Sequence, residues 1–256
     1  MSLVAGCGAA ACPRQPITDP SQALAAHQDR AIQSLRAEAR VDQRGKSGRI
    51  KGTVLMFVER PDRVRFDAMT QFGPALVLTS DGETFAFSDF KSRRYLTGLA
   101  CPQNIARLVG VPLPVPAVVS ALMGEAPELS AARATISCSD RGQYVVERTA
   151  ADGMKQVILL DVLAQDRKKL PEEQRTQLAA VTLWDGSGRK LYRIAYEDYQ
   201  KVQGHSLPFT VRVEDFVADA DALVRFKSID VNVAVPADAF AQTPRPGLQQ
   251  EEALCE

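Results

Sequence analysis

The stretch IARLVGVPLPVPAVVSALMG, residues 105–124, decides the fold. It carries one charge, Arg107, and three prolines inside a sequence that is otherwise dotted with charge. Pro102 and Pro116 sit where the first turn of a helix tolerates proline, and Gly110 and Gly124 sit where helices commonly end. The spacing therefore predicts two short helices, 102–109 and 115–123, joined by a Pro-Leu-Pro elbow. The second helix is apolar on nearly every side through Val118, Leu122 and Met123, so one packed face does not account for it. Either it is buried on both sides or it covers an apolar cavity.

Working outward, the period changes from helix to strand. Val64 and Phe66 alternate with Arg63, Arg65 and Asp67; Leu76 and Leu78, then Phe85 and Phe87 across the Ser80-Asp81-Gly82-Glu83 turn, do the same. These are strands joined by short hairpins, with Arg60-Pro61-Asp62-Arg63 as the turn after a strand over 53–59 that contains Phe57. Beyond the apolar helices the strands resume and run to residue 235. Asp140-Arg141-Gly142, Asp152-Gly153 and Asp185-Gly186-Ser187-Gly188 mark turns between them. Residues 166–177 are charged, include Pro171, and read as an excursion at the sheet edge. Before the strands, Asp19 caps and Pro20 opens a helix of about four turns, with Ala23, Leu24, Ile32 and Leu35 on its stripe.

This pattern gives a mainly β fold with a few helices (α+β): a single open antiparallel half-barrel of about 10 or 11 strands over residues 19–240. Residues 1–18 form a lipobox and flexible linker, and 241–256 a C-terminal tail. Val64, Phe66, Leu76, Leu78, Phe85, Phe87 and Trp184 supply more inward apolar surface than one N-terminal helix covers. At about 25 cal/mol per Å² such surface does not stay wet without a reason. The 105–124 stretch is the lid available to it. What the lid encloses is either a tightly packed core or a cavity for an apolar ligand.

Composition narrows the functional classes. With 31 Lys plus Arg against 31 Asp plus Glu, no net charge draws the molecule to nucleic acid. No window reaches the roughly 18 to 20 continuous apolar residues of a spanning helix. The N-terminus reads instead as an export signal: Leu3-Val4-Ala5-Gly6-Cys7 is similar to a bacterial lipobox, with Cys7 the acylated residue. Met1-Ser2-Leu3 reads as a start placed over a removed signal peptide. The alternative is a small-residue tail with an incidental cysteine. Of the five cysteines, Cys101 and Cys138 lie within the folded region and are the expected disulfide, or else two separate buried thiols. His27 and His205 are isolated and no Cys-x-x-Cys occurs, so no metal site or cofactor is expected. No Gly-x-Ser-x-Gly occurs either, and no enzyme activity is expected.

Three segments resemble the LolB-type outer-membrane lipoprotein receptors and the LolA-like periplasmic lipoprotein carriers. They are the strand–loop–strand around Val64 to Leu76, the Ile105 to Pro114 segment running into a helix that ends at Gly124, and VAVPADAFAQTPRPG at 233–247. Together they span most of residues 30–247, and the second is the closest match. The resemblance implies an open barrel whose helical lid covers a cavity for acyl chains. It also implies a protruding loop, Thr70 to Pro74, with Phe72 at its tip before Gly73 and Pro74. The residues alone leave Phe72 either exposed or folded back on the sheet. The tail beyond 245 and the insertion near 166–177 depart from the family pattern.

The leading expectation is therefore a monomer, anchored through Cys7 in the outer membrane and facing the periplasm, that binds lipid or an acylated lipoprotein. Its expected role is in lipoprotein or lipid trafficking. The alternative is an envelope sensing or protein-interaction module on the same fold.

Overall fold

A computed structural model describes residues 11–27, 31–45, 48–236 and 238–255; Cys7 and the lipobox lie outside them. The expected four-turn N-terminal helix is shorter than its pattern. Helix α1 (Pro20–Ala25) is six residues long, opened by Pro20 and capped by Asp19, whose carboxylate accepts from the Ser21 N–H at 2.9 Å. Leu35, expected on its stripe, lies instead in β1 (Ser34–Gly45), where Leu35, Ala37, Ala39 and Val41 are buried on one face. A short helix gains little on its own. A strand paired on both sides satisfies its backbone and fully buries Leu35.

The remaining elements follow in chain order: β2 (Gly48–Glu59), β3 (Arg63–Thr70), β4 (Gly73–Ser80), β5 (Thr84–Asp89) and β6 (Arg94–Leu99). Next come helices α2 (Pro102–Val109) and α3 (Val115–Leu122), then β7 (Ala131–Cys138), β8 (Gln143–Ala150), β9 (Lys155–Val162) and β10 (Thr176–Trp184). The chain closes with β11 (Lys190–Val202), β12 (His205–Asp215), β13 (Ala220–Val231) and β14 (Gln249–Glu252). The described residues thus form fourteen strands, where 10 or 11 were expected. β1, β6 and β14 are the additions.

The chain divides into two compact units, residues 1–28 with 129–189, and residues 29–128 with 190–256. The larger unit holds an open sheet in the order β14-β6-β5-β4-β3-β2-β1-β13-β12-β11. Its neighbours are antiparallel, except that β14 runs parallel to β6. Register builds continuous apolar rows across it. Ile229, Ala37, Met56, Phe66, Leu78, Phe87 and Leu96 are successive partners, and all are buried. Helix α3 packs against β2 and β3, and α2 against β4.

The opposite face of β4 to β6 is covered by the C-terminal residues. Gln242 Nε2 donates to Ala86 O (2.9 Å) and Thr79 Oγ1 (3.1 Å), its Oε1 accepts from Ser88 Oγ (2.8 Å), and the Tyr95 hydroxyl donates to its carbonyl (2.8 Å). The segment expected to be a tail beyond the domain is therefore a strap built into it, because Gln242 bonds these four polar groups on the sheet.

The smaller unit is the antiparallel sheet β10-β9-β8-β7 with α1 against β7 and β8. The described part of the expected flexible linker is docked here. Ile17 is buried and its N–H donates to the Tyr144 hydroxyl at 2.8 Å; that hydroxyl donates to Gln174 Oε1 at 2.6 Å, and Gln174 Nε2 donates to Gln15 O at 2.7 Å. The charged excursion is pinned by Asp166, which is buried between Arg175 Nε (2.7 Å) and Lys169 Nζ (2.6 Å).

The disulfides correct the expected Cys101–Cys138 pair. Cys138 is bonded to Cys12 and Cys101 to Cys255. Cys138 ends β7 in the smaller unit, whereas Cys101 precedes α2 in the larger, and each joins a terminal segment docked on its own unit. Neither terminus reads as ordered from composition, so their cysteines were passed over.

Candidate functional site: an apolar gap beneath the helical lid

The lid is built as its punctuation predicts. Helix α2 ends at Gly110, which adopts φ +83 and whose N–H donates to Ala106 O at 2.8 Å. Helix α3 ends one residue earlier than expected, with Met123 as its C-cap and Gly124 at φ +74. Gly124 is required twice over: the left-handed backbone disfavours other residues, and a Cβ there would fall 2.6 Å from Pro208 Cδ. Between the helices Val111 and Leu113 point into the core, so the elbow is itself part of the cover.

Both ends of the lid are fastened. At its start Cys101 is bonded to Cys255, and buried Asn104 donates through Nδ2 to Leu99 O (3.0 Å) and Ala253 O (3.1 Å). At its finish Glu125, buried, pairs with Arg60 at 2.8 Å, and its carbonyl accepts from the Tyr196 hydroxyl at 3.0 Å. Burial holds that hydroxyl well above the usual tyrosine range, so it stays a donor.

Between lid and sheet lies a cavity of about 50 Å³. The sheet contributes Val41, Val54, Met56, Phe66, Val211, Val213, Ala222 and Val224; the lid contributes Leu108, Val109, Leu113, Val118, Ala121 and Leu122. Every lining residue is apolar. The cause is local: opposite the lid, β12 and β13 present valines and alanines where larger side chains would close the space.

Of the residues expected around a cavity, Phe66, Val118 and Leu122 line it. Val64, Leu78, Phe85, Phe87 and Met123 are buried elsewhere in the same unit, and Leu76 is half-buried in the middle of β4. Phe57 follows inward Met56 and turns to the other face of β2. Trp184 ends β10 in the smaller unit and is half-buried there. The walls missed from sequence include Val41, on a strand the sequence pattern did not mark, and Val211, Val213, Ala222 and Val224 on β12 and β13.

The β3–β4 turn resolves the alternatives for Phe72, which is 91% exposed. Thr70 Oγ1 accepts from the Phe72 N–H (3.2 Å) and donates to Gly73 O (2.8 Å), and Gly73 sits at φ +114. The turn is closed on its own polar groups, which leaves the ring outside.

Among the described residues no cluster of three His, Cys, Asp or Glu is placed to hold a metal ion, and no helix is long and apolar enough to cross a membrane. Burial of the His27 ring lowers its pKa to about 4.

No family model matches the chain, and no curated protein matches it. Solved structures do. A LolA superfamily protein from Nitrosomonas europaea is 12% identical, with 88% of this chain and 98% of that chain covered at a TM-score of 0.54. A DUF1329 family protein from Desulfovibrio piger is 11% identical, with 87% of this chain and 95% of that chain covered at the same TM-score. The likeness is one of fold: this chain has the LolA-like architecture that residues 105–124 suggested.

Proposed function

We propose that this protein is a non-enzymatic carrier of the cell envelope that takes acyl chains, free or on a lipoprotein, into the space beneath its lid. The observation that carries the reading is the wholly apolar lining of that space, on a fold shared with a LolA superfamily protein. The gap is small in this structure: an apolar cavity of about 150 Å³ admits benzene, and this one is about a third of that. Loading an acyl chain therefore requires α2 and α3 to lift about the elbow at 110–114. The exchange is near balance, since each methylene that enters is worth about 0.8 kcal/mol and replaces apolar surface that the lid uncovers.

In this reading Cys7 carries the lipid anchor, the protein faces the periplasm from the outer membrane as a monomer, and the exposed ring of Phe72 touches the acceptor bilayer during transfer. The test is uptake of a fluorescent fatty-acid probe by delipidated protein. Saturable uptake is expected, and its absence overturns the reading. Mass spectrometry of the protein from native membranes is expected to show acylation at Cys7. Phe72→Ala is expected to slow transfer from the loaded protein to vesicles while leaving uptake unchanged.

A further inference from the structure

The apolar cavity stops one residue short of a second, open recess. On β1, Val41 faces the cavity, and Gln43, two residues on and on the same strand face, lines a groove of about 420 Å³. β13 makes the same step from Ala222 to Ala220, and the lid makes it from Leu108 and Val109 to Gly110 and Pro112. Three elements thus pass from one space directly to the other, and the lining changes from wholly apolar to mixed as they do. Gln43, Arg44, Gln103 and Arg107 all line the groove.

Gln43 is the unusual member. It is 6% exposed, and its Oε1 is buried without a hydrogen-bond partner among the described residues. Its place is made by Gly110, where a Cβ would fall 2.8 Å from that oxygen. Leaving a buried acceptor unpaired is costly, and native structures keep such groups where something else pairs with them. The position is the mouth of a space for apolar chains, so the missing partner is a donor on the polar end of such a chain. Arg107, whose Nε–H is directed to Asn104 Oδ1 at 3.3 Å, adds a positive charge at the same mouth.

We infer that this groove is a head-group subsite that selects acyl chains joined through an amide, whose N–H donates to Gln43 Oε1 while the carbonyl oxygen lies toward the guanidinium group of Arg107. A fatty-acid carboxylate or an ester brings acceptors only. The inference rests on the acyl-binding reading above and names its ligand class. An amide-linked chain occurs on acylated protein N-termini and on small N-acyl amino acids, and both present the same N–H.

The test is displacement of the fluorescent fatty-acid probe from delipidated protein by two neutral compounds, N-dodecanoylglycine methyl ester and its N-methyl counterpart, which differ at the N–H. The first is expected to bind about tenfold more tightly. Gln43→Met is expected to abolish the difference without weakening the N-methyl compound. The wild-type comparison stands by itself if that variant fails to fold. Equal binding of the two compounds to wild type overturns the head-group inference and leaves acyl binding intact. Failure of the protein to take up the probe at all overturns both. An N-dodecanoyl hexapeptide distinguishes the sources: binding as tight as that of the acylglycine ester points to a protein N-terminus, and weaker binding to a small N-acyl amide. With either source, loss of affinity on N-methylation supports the inference.

Discussion

The two units bury their interiors in opposite ways. In the smaller one Tyr144, Val146, Ile158, Leu160 and Leu178 are fully buried, and the one polar group among them, the Tyr144 hydroxyl, is satisfied by Ile17 and Gln174. In the larger one the rows are just as regular, yet the lid rests over valines and alanines and leaves an apolar gap. Strand pairing is equally complete in both, so the gap does not come from a weaker sheet. It comes from side-chain packing: Tyr144, Ile158 and Leu160 meet in the smaller unit, whereas valines and alanines of β12 and β13 leave space beside Met56 and Phe66 beneath the lid.

The largest effect should separate the units by packing. Ile158→Ala removes methylenes from the solid core and is expected to cost about 4 kcal/mol in denaturant unfolding, with hydrogen exchange accelerated in β8 and β9. A cost below about 1 kcal/mol would show that this core is as loose as the space under the lid. The disulfides offer a second separation, one in each unit. Cys138→Ser is expected to cost about 3 kcal/mol and to release the 11–19 segment, whereas Cys255→Ser is expected to release β14 and the start of α2. Hydrogen exchange localises each loss. Effects that spread across both units would break the comparison.

The pH effect that His27 carries belongs to the smaller unit. Burial depresses the folded-state pKa of His27 from 6.5 to about 4, so the unfolded chain binds the proton first as pH falls. The stability held by the neutral ring is complete above pH 6.5 and declines by about 1.4 kcal/mol per pH unit until the folded pKa is reached. Thermal or denaturant unfolding between those limits should show the slope, and His27→Gln should flatten it. The smallest effect should come from the lid. Ala121→Val adds bulk to a gap of about 50 Å³ and is expected to change stability by less than about 1 kcal/mol. It should nevertheless weaken probe uptake roughly fourfold, the equivalent of about one displaced methylene. Unaltered uptake would remove the gap beneath α3 from the binding path.

What the sequence by itself determined was whatever local chemistry dictates. Pro102, Gly110, Pro116 and Gly124 marked the two lid helices to within a residue, because a ring that removes an N–H and a residue that tolerates positive φ act where they stand. Alternation around Val64, Phe66, Leu76 and Phe85 marked strands for the same reason. Phe72 reads as a loop tip from sequence, and the turn's own hydrogen bonds decide its exposure.

Tertiary structure decided what depends on partners distant in the chain. β1 declares itself only when β2 and β13 flank it, since Ala37 and Ala39 carry too little apolar area to announce a strand. Cys12 and Cys255 sit in segments of linker composition and found their partners only once those segments docked, 126 and 154 residues away in sequence. The cavity was legible as a lid and an inward face, but its walls and size were not. Volume is what remains after side chains from five strands and two helices have packed, and a sequence states each of those side chains without stating which of them meet.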